Sequence, residues 1–245
     1  MTKDRSRITY HASRKMMKLL LFDIDGTLIR SQGAGRETMA YALEEVFGTA
    51  GPLADYHMSG KTDPRIVMDL MTAVGFSADE ITARLPQVYE HMAARGREIF
   101  PHREMHPCPG IPELLAALHH HEGVVLGLLT GNVHLTAPLK LSAAGIDPVQ
   151  FKVGVYGSDA LDRNQLPAIG IERANQLTGH EFSGYNTVII GDTPADILCA
   201  RAGKVTAVAV ASGWHSAATL AKYQPDHLFE NLTDTQMVIE TLLAK

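Results

Sequence analysis

The chain has 245 residues, 45% of them apolar and 20% charged, which fits a globular protein of one large or two small domains. A formal net charge of −5 gives no footing for nucleic-acid binding, and no apolar run reaches the ~20 residues of a membrane helix. Cys108 and Cys199 form no CxxC pair, so they read as reduced thiols of a cytoplasmic protein and not as a disulfide framework.

The first 15 residues read as a floppy tail. Their basic head and the apolar stretch that follows have the outline of a signal peptide. That stretch is short, though, and it runs straight into Asp23 and Asp25 with no small-residue cleavage site. Met1, Met16 and Met17 are all candidate starts. Four apolar runs of strand length then follow, MKLLLFD (17–23), VVLGLLTGN (124–132), NTVIIGD (186–192) and VTAVAVASG (205–213). None alternates cleanly, as expected of strands buried on both faces of a parallel sheet. A fifth run, FKVGVYGSD (151–159), is more polar and fits nearer an edge.

Helical patterns separate these runs. PELLAALHHHEG (112–123) sets Leu114, Leu115 and Leu118 on one side, between Pro112 as a start and Gly123 as a stop. PAIGIERANQLTG (167–179) and PADILCARAG (194–203) carry similar signals. The alternation predicts a doubly wound, Rossmann-like α/β core. The gap between the first two strong strands is far longer than a crossover needs. Its content is helical, with Met39, Leu43, Val46 and Phe47 on one face and Ile66, Leu70 and Val74 on another. Pro86 is expected to split ADEITARL from PQVYEHMAARGREIF. The insert contains no strand candidate. The expected division is a tail over 1–15, a core of 16–31 and 108–245, and an all-helical cap over 32–107.

Ligands of open α/β sheets sit at the carboxyl ends of the strands. The first strand ends in Asp23, Asp25, Gly26 and Thr27, the second in Thr130, Gly131 and Asn132, and another in Asp192 followed by Asp196. If these ends are neighbours, three or four carboxylates converge, and a cation is needed to offset them. An all-oxygen ligand set points to Mg²⁺. Beside such an ion one aspartate can act as nucleophile and the other as acid and base. Gly26 permits the sharp turn, and Thr130 and the Asn132 amide are placed to donate to phosphoryl oxygens.

DIDGT, TGN and GDTPAD, in this order and around a helical insert, resemble the haloacid dehalogenase-like hydrolase superfamily, and within it the helical-cap branch of phosphoglycolate phosphatase. The resemblance covers nearly the whole chain after the tail. It implies a phosphatase in which Asp23 is the nucleophile and Asp25 the acid and base. Mg²⁺ would be held by Asp23, the Asp25 carbonyl and Asp192. Thr130 and Asn132, with Gly131 and Thr27, would contact the phosphoryl group. Asp196 would be either a metal-shell residue or the partner of the family's usual cation. That cation is normally a lysine, and no lysine occurs between Lys152 and Lys204. Arg163 is the expected stand-in, because a guanidinium pairs bidentately with phosphate or carboxylate. Arg173 reads as a surface residue of its helix.

Other polar groups have plainer readings beside functional ones. In SGKTDPR (59–65), Lys61 and Arg65 are candidates for contact with an anionic substrate, while Thr62 or Asp63 is expected to cap a helix with Pro64 at its first position. His119, His120 and His121 read as a helix end, and His102, His106 and Cys108 as a linker. Cys199 reads as a core residue. Trp214 fits either the cleft mouth or the core edge. The expected partner is a small phosphorylated metabolite, with neither nucleic acid nor membrane, and the sequence carries no reading of oligomeric state. The alternatives are a sugar phosphomutase of the same architecture, a 2-haloacid dehalogenase and a non-catalytic binding module. The acid/base Asp25 argues against a dehalogenase, because a halide leaves without a proton.

Overall fold

The apolar runs become parallel strands of one sheet. The structure, a computed structural model, describes residues 17–244. The expected tail, with Met1 and Met16, lies outside the described residues. In chain order the elements are β1 (Lys18–Phe22), β2 (Ile29–Arg30), α1 (Ala34–Phe47), α2 (Asp63–Ala73), α3 (Ala78–Ile99), β3 (His106–Pro107), α4 (Ile111–His119), β4 (Val124–Leu129), α5 (Ala137–Ala143) and β5 (Val153–Val155). They continue as α6 (Leu166–Thr178), β6 (Thr187–Gly191), α7 (Pro194–Ala202), β7 (Thr206–Val210), α8 (Ala217–Ala221), β8 (His227–Phe229) and α9 (Thr235–Leu243).

The main sheet runs β5-β4-β1-β6-β7-β8, and every pairing in it is parallel. Each strand divides its side chains between two layers. Leu20, Phe22, Leu128 and Ile190 face the layer of α4, α5 and α9, where Leu114, Leu141 and Val238 meet them. Leu19, Leu21, Leu129 and Ile189 face α6, α7 and α8. Both faces are therefore dry, which is why the sequence runs do not alternate. The polar run at 151–159 contributes β5, an edge strand. The opposite edge, β8, has no counterpart in the sequence reading. It is three residues long and exposes His227 and Leu228, so it carries no hydrophobic signature.

Between β2 and β3, α1, α2 and α3 pack around a separate apolar cluster that includes Met39, Leu43, Ile66, Leu70, Val88 and Met92. This is the helical cap on the α/β core. The sequence reading of this region needs two corrections. First, β2 and β3 pair antiparallel, Ile29 with Pro107 and Arg30 with His106, and close the base of the cap. Two residues per strand are too few for a periodic signal. Second, Pro86 does not break the helix, because α3 runs unbroken for 22 residues through it. Proline leaves the carbonyl four residues earlier without its amide. That residue, Thr82, is exposed, as is Pro86, so the freed carbonyl lies on the solvent side of the helix and is not stranded in the core. A Ser77–Glu80 capping box fixes the start of the same helix. No helix among the described residues is long and apolar enough to cross a membrane.

Candidate active site

The register of the sheet brings the polar strand ends together. Phe22 pairs with Leu128 on one side and with Ile190 on the other. The chain therefore leaves three adjacent strands at one level, through Asp23, Thr130 and Asp192. The Asp23 amide donates to the Ile190 carbonyl (2.9 Å), and the Thr130 amide to Val155 (3.0 Å). Beyond Asp23, Gly26 adopts φ +90°, and a Cβ there would run into the Asp192 carboxylate. A Cβ on Gly213, in the loop after β7, would overlap the same carboxylate. The two glycines form a close-fitting wall around Asp192, and Ser212 ties them together by donating to the Gly26 carbonyl (2.7 Å).

Oxygens of Asp23, Asp192 and Asp196 lie within 4.8 Å of one another, and all three residues are buried. Burial, reinforced by Asp196 and Asp23, pushes the Asp192 carboxyl well above the usual range despite a hydrogen bond from Thr27. Burial also raises Asp23 to about 6, with Arg163 opposing and Asp196 and Asp25 adding to the rise. Carboxylates that resist ionisation together are a site in need of a cation. One is built in. Arg163, 7% exposed in a turn before α6, pairs with Asp23 Oδ1 at 3.3 Å and with Asp196. Asp196 has no oxygen to spare. Its Oδ1 accepts from Arg163, and its Oδ2 accepts from the Thr193 amide (3.0 Å) and hydroxyl (2.7 Å) in the capping box of α7. Asp192 is better placed to hold an ion, because only its Oδ1 accepts a hydrogen bond, from Thr27 at 3.1 Å. The donor set fits a divalent, oxygen-seeking metal held chiefly by Asp23 and Asp192.

A second polar cluster adjoins the first. Asp25 Oδ2 accepts from Asn132 Nδ2 and from Lys140 Nζ, each at 2.7 Å. Burial disfavours ionisation of Asp25, but the Lys140 ammonium and its hydrogen bond outweigh it and hold the carboxyl below its ordinary value. The Asn132 amide also reaches Thr130 Oγ1 (2.9 Å). Asp63, at the start of α2, accepts from the Val133 amide (2.9 Å) and lies buried beside these groups. Burial pushes its carboxyl up to about 6, against Lys140.

Asp23, Asp25, Thr130, Gly131, Asn132, Lys61, Arg163 and Asp192 all line one cavity of about 720 Å³ between cap and core. Trp214, 93% exposed, stands at its mouth. Thr27 and Asp196 lie behind the wall, on Asp192 and Arg163 respectively. Arg65 is not among the lining residues. Its Nε pairs with Asp69 at 2.8 Å on the cap surface, and Lys61 reaches the same carboxylate at 3.3 Å and the Tyr56 hydroxyl at 2.5 Å. Thr62, not Asp63, caps α2. Arg173 pairs with Asp159 (2.7 Å), and Cys199 is buried in the core. Lys140 belongs to none of the motifs read from the sequence, and Asp63 is read there only as a helix cap.

A sequence profile of the haloacid dehalogenase-like hydrolases matches residues 20–201, most of the chain. The chain belongs to the haloacid dehalogenase-like hydrolase family. A second profile of this hydrolase type matches residues 169–235. Among curated relatives, a phosphoglycolate phosphatase of Vibrio vulnificus is 24% identical over 242 residues, covering 93% of this chain and 98% of that one. The pyrophosphatase PpaX of Listeria monocytogenes is 26% identical over 224 residues, covering 90% and 95%. Among solved structures, a predicted phosphatase from Clostridium acetobutylicum superposes with a TM-score of 0.68 at 17% identity, covering 92% of this chain and all of that one. The last likeness is one of fold. For a hydrolase of this family, the site at the carboxyl ends of β1, β4 and β6 is where the chemistry is to be sought.

Proposed function

We propose that this hydrolase is a Mg²⁺-dependent phosphatase that cleaves a small, phosphoglycolate-like phosphate monoester through an aspartyl-phosphate on Asp23. The observation that carries the reading is the convergence of Asp23, Asp192 and Asp196 with a buried Arg163, beside Asp25 and the Thr130–Asn132 loop. Asp23 and Asp192, with the Asp25 carbonyl, would hold the ion. When bound, Mg²⁺ supplies charge neutralisation that lets the anionic nucleophile and the anionic phosphate share one cleft.

The remaining steps belong to side chains. An Asp23 oxygen attacks phosphorus, and the bond to the leaving oxygen breaks. Asp25, ionised in the free protein, takes up a proton when the anionic ester binds beside it, gives that proton to the leaving oxygen, then takes one from the water that attacks the aspartyl-phosphate. Phosphate leaves and the Asp23 carboxylate returns. Thr130 and Asn132 donate to the phosphoryl oxygens, and Arg163 keeps Asp23 ionised at neutral pH. Asp196 acts through Arg163. The cap, which we assign to residues 32–107, excludes solvent and selects the leaving group, with Lys61 facing the substrate from its loop.

The test is a panel of phosphorylated metabolites, phosphoglycolate included, assayed with Mg²⁺ on the wild type and on Asp23→Asn. The expected result is release of inorganic phosphate without an isomerised product, abolished by the substitution and by chelation. An isomer without phosphate release would mean a phosphomutase, and activity that survives Asp23→Asn would overturn the mechanism.

A further inference from the structure

Lys140 is a lysine with 4% of its surface exposed, in a helix that the family motifs do not reach. Its ammonium makes two short contacts, 2.7 Å to Asp25 Oδ2 and 2.6 Å to Asn132 Oδ1. A buried lysine is retained only where a partner offsets its desolvation. Here the space is also reserved. Gly35, in the first turn of cap helix α1, lies so near that a Cβ would stand 3.0 Å from Nζ.

The contacts have a directional consequence. A lysine donates and never accepts. Asn132 must therefore turn its oxygen toward Lys140, which turns its NH₂ toward Asp25 Oδ2 and Thr130 Oγ1. Asp25 then has one oxygen held from two sides. The other, Oδ1, is buried. Lys140 thus fixes the rotamer of the carboxylate and the amide orientation of its neighbour.

We infer that Lys140 is the positioning residue for the acid/base Asp25. It holds Oδ2, and with it the plane of the carboxyl group that exchanges protons with the leaving group and with water. The inference rests on the phosphatase reading and adds a residue to it. The Lys140 ammonium is engaged by Asp25 and Asn132, and its effect passes through Asp25.

The distinguishing property is dependence on the leaving group. A nitrophenolate departs with little protonation, whereas an alkoxide needs a proton in the transition state. The test measures turnover with Mg²⁺ on a series of monoesters from nitrophenyl to alkyl phosphates, for the wild type, Lys140→Met and Lys140→Gln. Methionine keeps the stem and removes the charge. Glutamine keeps a donor and decides the matter if the methionine variant does not fold. The loss in kcat is expected to grow along the series, to about 100-fold on alkyl esters and under about tenfold on the nitrophenyl ester, with KM changed less than about threefold. A loss that is uniform across the esters, or absent, overturns the positioning role and leaves the phosphatase reading standing. A wild type silent on every ester overturns both.

Discussion

Arg163→Ala tests the electrostatic reasoning most directly. The substitution removes the cation that faces Asp23 at 3.3 Å and that also binds Asp196, all three side chains being at most 8% exposed. Removing one partner of a buried pair leaves an uncompensated charge, at a cost of about 3–5 kcal/mol. For a chain of this size each kcal/mol moves the melting temperature by about 2–4 °C. The metal-free variant should therefore melt about 6–20 °C below the wild type at neutral pH. Mg²⁺ should recover part of the loss, because it supplies charge to the same carboxylates, so its stabilisation should be larger in the variant. Turnover should fall about 10²–10³-fold. Arg163→Lys keeps the charge without the planar fork and should fall between the two. Thermal denaturation in EDTA and in Mg²⁺ reads the stabilities, and initial rates on the ester panel read the turnover. A drop below about 2 °C in EDTA, or turnover equal to wild type, would show that Arg163 does not neutralise the cleft.

The pH dependence of the metal-free protein follows from the same carboxylates. Asp23 and Asp63 stand at about 6 against an ordinary 3.8, and Asp192 is raised as well. The folded state then binds protons that the unfolded state releases, so this contribution is full below about pH 4 and is lost as pH rises through about 6. Asp25, shifted the other way, titrates below this window in both states and leaves the slope unchanged. The melting temperature in EDTA should rise from pH 7.5 to pH 5, and Mg²⁺ should flatten the profile. A fall over that window in EDTA would contradict the assignment. Gly213→Ala places a methyl group against the Asp192 carboxylate. Calorimetric titration should show Mg²⁺ binding weakened about 10–100-fold, and unchanged affinity would mean that Asp192 is free to move aside.

What was legible in the sequence is what repeats or punctuates. Doubly buried strands read as unbroken apolar runs, and their polar ends fall at one level because the register pairs Phe22 with both Leu128 and Ile190. The motifs DIDGT, TGN and GDTPAD were therefore visible as a site before any coordinates. β8 and the β2–β3 ribbon were not, because two or three residues carry no period. Pro86 misled because a rule for helix interiors takes no account of which face the proline occupies. Lys140 did leave a signal. In APLKLSAAG, Ala137, Leu141 and Ala144 form the buried face of a short helix, and Lys140 lies on that face. A lysine in an apolar stripe is anomalous unless paired, and its partner Asp25 is 115 positions away in the chain. Asp63 looked like a capping residue because it stands beside Thr62 and Pro64. Its burial against Val133 depends on how the cap sits on the core, which local sequence does not encode.

In the proposed mechanism the contacts of that cap loop couple solvent exclusion to the chemistry. Thr62 donates to the Leu161 carbonyl (2.8 Å), the Asp63 amide donates to Gly131 (2.8 Å), and Asp63 Oδ2 accepts from Val133. All three cross from the start of α2 to the loops after β4 and β5, and two of them grip the segment that presents Thr130 and Asn132. Gly131 has no side chain where the Lys61 carbonyl approaches, so the loop seats closely. In the proposed mechanism, a cap that lifts to admit substrate breaks these bonds and releases the segment assigned to the phosphoryl group. Closing it restores both at once. On that reading, water is excluded in the same movement that sets the donors in place, and an ester bound under an open cap would meet neither a dry cleft nor an ordered set of hydrogen bonds.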